Sequence, residues 1–308
     1  MDLSVLLKGQ KRDLYLKNPS LAASGTFGYG LEFRPYGDLA SLGGIVVKGL
    51  SLKPRRGNPS PRVCETASGM LNSIGLQNDG VDNFLRDKLP LLPWKETAII
   101  ANMYATSVDE FAKLAAILNA AEGVAALEVN VSCPNVREGG IIFGSDPDLC
   151  AQITGAVRKN APDKFVIVKL SPNVTDITLI GKAAENAGAD CVSAINTLSG
   201  MAIDVQRRKP VLANVIGGLS GPAIKPVALR CVWQLAGALK IPVIGIGGIC
   251  STRDILEFLL AGASAIQVGT GNFARPDMSF KLAAELPDAL RKAGAASVKE
   301  ITRALKTD

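Results

Sequence analysis

A thiol, a hydroxyl and two carboxamides lie within six residues of this chain, in the segment Asn130-Val-Ser-Cys133-Pro-Asn135. The apolar run that leads into the segment is typical of a buried strand, and Pro134 cannot continue a sheet ladder. Asn130 and Asn135 can donate and accept hydrogen bonds without charge, which suits a flat polar heterocycle. Cys133 is the group here that can become a strong base or nucleophile near neutral pH. We therefore predict a site at the end of this strand, with Cys133 as its reactive group.

The composition limits the chemistry that such a site can perform. The chain has 308 residues, 47% of them apolar, six cysteines and no histidine. Acid–base chemistry must therefore use Cys, Lys, Asp, Glu or Tyr, and histidine-ligated metals are excluded. No two cysteines form a CxxC pair, which argues against an iron–sulfur or zinc centre in this chain and suits a reducing cytoplasm. We interpret the cysteines other than Cys133 as small buried apolar residues.

Charge and hydropathy exclude two further classes of function. No apolar run reaches the roughly 18 residues that a membrane-spanning helix needs, and the N-terminus does not have the pattern of a secretory signal. The net charge of +6 favours small anions only weakly, and no basic run is interleaved with aromatic residues. We therefore expect neither a membrane protein nor a nucleic-acid-binding protein.

Apolar runs alternate with amphipathic runs along the chain, which predicts an α/β fold. The runs continue without polar alternation, as in a sheet covered on both faces. Their number favours a (β/α)8 TIM barrel over a doubly wound sheet, and no linker is evident, so we interpret residues 1–308 as a single domain. The eight strand candidates are Leu21–Ala23, Gly44–Val47, Ala98–Ala101, Ala126–Val129, Phe165–Leu170, Cys191–Ile195, Pro242–Ile246 and Ala265–Val268.

Other segments are predicted around this core. Leu3–Leu7 and Asp13–Leu16 form a short N-terminal lid or hairpin. Ser107-Val-Asp-Glu110 predicts a capping box before a helix, and Ser251-Thr-Arg-Asp254 predicts another helix start. Two long insertions, Ser51–Asp79 and Leu198–Leu219, follow the second and sixth strands, on the face where barrel active sites form.

Polar or glycine residues follow the predicted strands, and in a barrel such positions meet in one pocket. Glycines at the last two strand ends would let backbone N–H groups approach a phosphate. Gly245-Ile-Gly247-Gly248-Ile-Cys250 resembles a nicotinamide fingerprint, but the third glycine is absent and the position in the chain is wrong. The strand-end residues are Ser24, Lys48, Asn102, Asn130 with Cys133, Lys169, Asn196, Thr197, Gly247, Gly248, Gly269 and Thr270.

Taken together, these residues resemble a dihydroorotate dehydrogenase over essentially the whole chain. The most specific element is the Asn130–Asn135 motif, supported by Val47-Lys48-Gly49, Asn72-Ser-Ile-Gly75-Leu76-Gln-Asn78 and Ile195-Asn196-Thr197. The resemblance implies a (β/α)8 barrel with FMN at its C-terminal mouth. It also implies oxidation of (S)-dihydroorotate to orotate in pyrimidine synthesis, with Cys133 as the base and hydride transfer to FMN N5.

The resemblance also implies the residues that bind each molecule. Lys48 is expected to contact both substrate and flavin, and Lys169 to lie near the flavin N1/C2 carbonyl. The alternative for Lys48 is a buried ion pair with a core carboxylate. The implied substrate residues are Lys48, Asn72, Ser73, Ile74, Gly75, Leu76, Asn130, Asn196 and Thr197. The implied flavin residues are Ser24, Lys48, Gly49, Asn102, Asn130, Lys169, Ile195, Gly221, Gly247, Gly248, Gly269 and Thr270.

Residues 136–144, Val-Arg-Glu-Gly-Gly-Ile-Ile-Phe-Gly, are similar to the class 1B catalytic subunit. That resemblance implies a homodimer core within a heterotetramer, whose second subunit carries FAD and a 2Fe-2S cluster and reduces NAD+. The alternatives are the fumarate-using class 1A homodimer and the uracil-reducing domain of dihydropyrimidine dehydrogenases. A phosphate-binding lyase that uses Lys48 or Lys169 as a Schiff base, and a non-catalytic flavin scaffold, also stay open.

Overall fold

The computed structural model describes residues 1–131 and 144–307. The strands, in chain order, are β1 Val5–Lys8, β2 Asp13–Leu16, β3 Ser20–Ala22, β4 Gly44–Val46, β5 Val63–Thr66, β6 Gly69–Asn72, β7 Ala98–Met103, β8 Ala126–Asn130, β9 Phe165–Leu170, β10 Cys191–Ala194, β11 Leu198–Met201, β12 Ile203–Asp204, β13 Lys209–Pro210, β14 Ile216–Ser220, β15 Val243–Ile246 and β16 Ala265–Val268. The α-helices are α1 Val81–Asn83, α2 Val108–Asn119, α3 Pro147–Asn160, α4 Ile177–Asn186, α5 Lys225–Ala238, α6 Thr252–Leu260, α7 Gly271–Ala274, α8 Met278–Lys292 and α9 Val298–Ile301.

Eight of these strands form a closed barrel in the order β3-β4-β7-β8-β9-β10-β15-β16, with β16 paired to β3. Every pair in the barrel is parallel. The predicted barrel is therefore confirmed and the doubly wound sheet is wrong, because an open sheet has two unpaired edges. The predicted strands agree with the barrel strands to within two residues at each end.

The connections are less regular than predicted. A helix of nine or more residues follows β7, β8, β9, β10 and β15, and α8 follows β16 after the short α7. After β3 the chain makes only short 3-10 turns at 31–36 and 39–41, and after β4 it makes α1 and short turns at 84–91. The expectation of a full helix after each strand is wrong for these two, whose connections are largely loop and insertion.

Side-chain caps begin four of the longer helices, α2, α3, α4 and α6. Ser107 Oγ accepts from the Glu110 backbone N–H at 3.2 Å, but the Glu110 carboxylate accepts from Thr106 rather than from Ser107. The predicted capping box is therefore only half formed. At α6 the reciprocal box between Ser251 and Asp254 is complete. Such caps satisfy N–H groups that the first turn of a helix leaves without partners.

Inward-facing side chains change from apolar to polar along the three neighbouring barrel strands β7, β8 and β9. In β7, β8 and β9 the lower positions are Ile100, Ala126 and Ile167, which belong to an apolar cluster inside the barrel. The residues two and four positions further on are polar: Asn102, Glu128, Asn130 and Lys169. Because strand side chains alternate between faces, these residues form a polar layer above an apolar floor.

The N-terminal hairpin seals that floor. β1 and β2 pair antiparallel, and Leu7, Leu14 and Leu16 pack into the apolar cluster at the amino ends of the barrel strands. Asp190 accepts from the backbone N–H groups of Lys11 and Arg12, which fixes the hairpin turn. The predicted hairpin is confirmed, but it is not a lid, because it lies at the end of the barrel opposite the carboxyl ends of the strands.

The two insertions meet in one sheet. β5 and β6 come from the first insertion, β11 and β14 from the second, and the antiparallel order is β11-β14-β6-β5. Gly218 of β14 pairs with Asn72 of β6, although 145 residues separate them. The sheet forms a wall above the carboxyl end of the barrel.

Three of the cysteines behave as predicted. Cys150, Cys191 and Cys231 are buried, and burial raises the pKa of the Cys150 thiol to about 12. Cys64 and Cys250 are only half-buried, so the expectation of full burial is wrong for them. Among the described residues, no group of Cys, Asp and Glu has the arrangement of a metal site, and no helix is long and apolar enough to cross a membrane.

Candidate active site

A cavity of about 320 Å³ opens at the carboxyl end of the barrel. The structure brings to this cavity all of the predicted substrate and flavin residues: Ser24, Lys48, Gly49, Asn72, Ser73, Ile74, Gly75, Leu76, Asn102, Asn130, Lys169, Ile195, Asn196, Thr197, Gly221, Gly247, Gly248, Gly269 and Thr270. Cys133 and Asn135 lie outside the described residues. Asn130, the last residue of β8, lies in the cavity wall.

Lys48 has no carboxylate within 4.0 Å of its Nζ among residues 1–131 and 144–307. The expected alternative of a core ion pair is therefore not found at this lysine. Burial, and then the nearby Arg62, lower the pKa of Lys48. A cation that has lost water and gained a like charge destabilises the fold at neutral pH, and this penalty fades as pH rises through its depressed pKa. An anion in the cavity would remove the same penalty.

Lys169 has the ion pair that was considered for Lys48. Its Nζ lies 3.7 Å from Oε1 of Glu128, a carboxylate that is fully buried inside the barrel. Asn102 Nδ2 donates to the same Oε1 at 2.7 Å, and Ser193 Oγ and Gln267 Nε2 donate to Oε2 at 2.9 and 2.7 Å. One buried carboxylate, that of Glu128, thus contacts two residues of the cavity wall, Asn102 and Lys169.

Glycine-rich turns after β15 and β16 form a second part of the wall. The backbone N–H groups of Gly248, Gly269 and Thr270 have no acceptor in the part of the chain that the structure describes. A Cβ on Gly269 would meet nothing closer than 3.7 Å, so packing does not require glycine there. The space is instead open to the cavity, as expected where a backbone approaches a phosphate.

Lys225 fixes the position of this turn. Its Nζ bonds Asp254 Oδ1 at 2.6 Å and Glu257 Oε2 at 2.7 Å, which ties the start of α5 to α6. Gly248 lies against it with φ +72°, and a Cβ there would come within 2.8 Å of Lys225 Cβ. Only glycine is compatible with both the left-handed backbone and the close approach.

The insertion sheet and the turn after β10 supply the remaining wall. The Ser73 hydroxyl is buried and has no hydrogen-bond partner among the described residues, so a ligand could use it. Asn72 Nδ2 donates to the Gly218 carbonyl at 3.4 Å. Asn173 Nδ2 donates to the Thr197 carbonyl at 2.9 Å and holds the turn that carries Asn196.

Several cavity residues were not predicted. Arg62, Met70, Ser220 and Phe273 line the cavity, and Glu128 lies beneath it. Glu128 could have been found from its position, because it lies two residues before Asn130 on the same face of β8. The others lie in insertions or after short turns, where no periodic pattern indicates the direction of a side chain.

The fold and the cavity define a class of protein. A parallel barrel whose carboxyl-end cavity combines carboxamides, lysines and a glycine cradle is typical of an enzyme that holds a phosphate-bearing cofactor beside a small polar substrate. The sequence profile of the Dihydroorotate dehydrogenase family matches residues 6–290.

Curated relatives agree with this profile. The chain is 62% identical over 306 residues to the dihydroorotate dehydrogenase B (NAD(+)) catalytic subunit of Maridesulfovibrio salexigens, covering 99% of each chain. It is 64% identical over 294 residues to the protein of the same name from Solidesulfovibrio magneticus, covering 96% of this chain and 95% of that one. The protein of that name from Geotalea daltonii is 55% identical over 305 residues, with coverage of 99% and 98%. The chain belongs to the dihydroorotate dehydrogenase family and is an oxidoreductase.

Proposed function

We propose that this chain oxidises dihydroorotate to orotate with bound FMN, as the catalytic subunit of a class 1B enzyme. The observation that carries the proposal is the cavity that combines Lys48, which has no carboxylate partner among the described residues, with the carboxamides of Asn72, Asn130 and Asn196. An anionic ring with a carboxylate and amide edges matches this set of groups.

Two features of the cavity suit the binding of FMN. The open space at Gly269 suits a phosphate, as do the N–H groups of Gly248, Gly269 and Thr270, which have no acceptor among the described residues. Asn102 and Lys169 suit the polar edge of the ring, together with Ser24, Gly49 and Ile195. When bound, FMN would supply a hydride acceptor at N5.

The chain's own groups would bind and orient the substrate. Lys48 would pair with the carboxylate, and its charge would stabilise negative charge that develops on the ring. The carboxamides of Asn72, Asn130 and Asn196 and the hydroxyls of Ser73 and Thr197 would hydrogen-bond the ring and its carboxylate. The insertion sheet, with the turn at Ile74–Leu76, would exclude water from the cavity.

Cys133 is proposed as the base. As a thiolate it would take the proton from one ring carbon while the hydride leaves the neighbouring carbon, which gives a thiol and orotate. A free thiol has a pKa near 8.5 and is only a few per cent ionised at pH 7. Turnover should therefore rise with pH until Cys133 is ionised.

The names of these relatives specify NAD+ and a catalytic subunit. They support a second subunit that transfers electrons to NAD+, for which we propose FAD and a 2Fe-2S cluster in a heterotetramer around a homodimer of this chain. The five cysteines in the described part of the chain form no disulfide, which supports our proposal of a cytoplasmic location. We further propose that residues 1–308 act as one FMN-binding domain.

A steady-state assay of the FMN-loaded chain tests the proposal. We expect dihydroorotate, and not dihydrouracil, to reduce an artificial acceptor, with little or no turnover when fumarate is the acceptor. Cys133→Ala should abolish turnover at pH 7 and retain FMN, whereas Cys250→Ala, at a half-buried thiol outside the cavity, should leave the rate unchanged. Near-wild-type turnover of Cys133→Ala would contradict its role as base, and turnover with fumarate would favour class 1A.

A further inference from the structure

Glu128 lies at the centre of the barrel. β8, which carries it, and β16, which carries Gln267, are opposite each other in the ring of eight strands, yet their side chains are hydrogen-bonded at 2.7 Å. Ser193 of β10 and Asn102 of β7 reach the same carboxylate. The carboxylate therefore lies near the barrel axis, directly beneath the cavity.

The groups around Glu128 are hydrogen-bond donors and one ammonium. Two amide N–H groups and one hydroxyl donate to its oxygens, and the Lys169 ammonium lies 3.7 Å from Oε1. Gln267 turns its N–H to the carboxylate although its own Oε1 is left buried with no partner among the described residues. Leaving a buried carbonyl without a partner is unfavourable, which is consistent with a strong, charge-assisted bond from Gln267 to Glu128.

The two oxygens of Glu128 face different neighbours. Oε1 contacts Asn102 and Lys169, which line the cavity, and Oε2 contacts Ser193 and Gln267, which do not. With Nδ2 of Asn102 donating downward, its Oδ1 faces the cavity wall, where it lies 2.9 Å from the position of a Cβ on Gly49. Glu128 thus determines which side-chain atom of Asn102 faces the cavity wall. It also determines where the positive charge of Lys169 lies.

We infer that Glu128 is a positioning residue that orients Asn102 and Lys169 and lowers the reduction potential of the bound flavin by partly cancelling the Lys169 charge. The inference rests on the proposed function, because it requires FMN in the cavity. Reduction adds negative charge to a flavin, so a nearby cation raises its potential and a nearby anion lowers it. Burial strengthens both effects, because the interior screens charge weakly.

Spectroelectrochemical titration of the FMN-loaded chain tests the inference. We expect Lys169→Met to shift the potential negative and Glu128→Gln to shift it positive. The double variant Glu128→Gln/Lys169→Met, which loses both charges, should lie between the two and near the wild type. A purely structural role would lower the melting temperature of Glu128→Gln without a positive shift in potential.

Two further variants separate charge from packing. Ser193→Ala removes a hydrogen bond from the other carboxylate oxygen and keeps the charge, so the potential should change little. Glu128→Gln/Gln267→Glu keeps one carboxylate and the bond across the barrel but moves the charge away from Lys169. This swap should fold even where Glu128→Gln does not, and its potential should shift positive by less than that of Glu128→Gln.

The titrations distinguish failure of this inference from failure of the proposed function. If the wild-type chain takes up FMN but neither Glu128→Gln nor the swap shifts the potential positive, the inference is wrong and the proposed function stands. If the wild-type chain binds no FMN at micromolar concentrations, the proposed function fails and this inference fails with it.

Discussion

Two lysines in the same cavity have opposite surroundings. Lys169 lies beside a buried carboxylate, whereas Lys48 has none among the described residues and is instead near Arg62. A lysine that already has a counter-ion can change the electrostatic environment of a neighbouring group without binding an anion itself. A lysine without a counter-ion favours binding of an anion. We therefore interpret Lys48 as the principal cation for the substrate carboxylate and Lys169 as a group that acts on the cofactor.

The pKa of Lys48 leads to a prediction about orotate binding. Because burial and then Arg62 lower the pKa of Lys48, this lysine should lose its proton at a lower pH than an exposed lysine does. The affinity of the FMN-loaded chain for orotate should be constant below that pKa and fall by up to about tenfold per pH unit above it. The Lys48→Arg variant keeps its positive charge as the pH rises, so its affinity for orotate should not show the decrease that deprotonation of Lys48 causes.

The comparison of the two proteins between pH 7 and 10, by titration calorimetry, isolates Lys48. Any titration of orotate itself or of Cys133 is common to both and cancels in the ratio of their dissociation constants. A ratio that does not change with pH would contradict the proposed pairing of Lys48 with the carboxylate.

Sequence alone identified most residues of the cavity, because parallel strands in a barrel end at one mouth. Lys48, Asn102, Asn130 and Lys169 could be placed there from the ends of apolar runs. Glu128 was missed although its place on β8 could have indicated it, but its hydrogen bond from Gln267 could not be predicted, because β8 and β16 face each other only in the closed barrel.

At the level of elements, the insertions behave differently from the barrel. The barrel strands were predicted to within two residues because each is a continuous apolar run. β5, β6, β11 and β14 are short and half-exposed, and their pairing joins segments about 145 residues apart. Pairing at such distance depends on the position of the barrel strands between them, so local pattern could not predict it.

The contact between β14 and the turn after β10 leads to a prediction about the substrate. A Cβ on Gly218 would come within 2.1 Å of Thr197 Oγ1, so Gly218→Ala must displace this hydroxyl. We expect the KM for dihydroorotate to rise roughly tenfold, the loss of about one hydrogen bond, with FMN content unchanged.

Gly200→Ala is the matched control for this variant. It lies in the paired strand β11, and its Cβ would meet the end of the Leu71 side chain at 2.9 Å and Leu219 Cβ at an ordinary 3.6 Å. Its KM should stay near the wild-type value. An equal rise in both variants would show that the sheet, and not Thr197, is responsible.

At the scale of the whole molecule, the barrel is built in layers along its axis. The hairpin and the apolar floor close one end of the barrel, and the polar layer that contains Glu128 lies above the floor. The cavity occupies the other end of the barrel, beneath the insertion sheet. The floor stabilises the fold and lies far from the chemistry, while the polar layer supports the cavity wall. This separation lets the loops at the mouth determine substrate and cofactor without disturbing the core.

Anaerobic titration of the purified, FMN-loaded chain with dihydroorotate tests the central claim most directly. Flavin absorbance at about 450 nm should bleach with one equivalent of substrate, and orotate should appear in equal amount. Bleaching would establish the substrate, the cofactor and the half-reaction together. A flavin that stays oxidised in the presence of excess dihydroorotate would contradict the account.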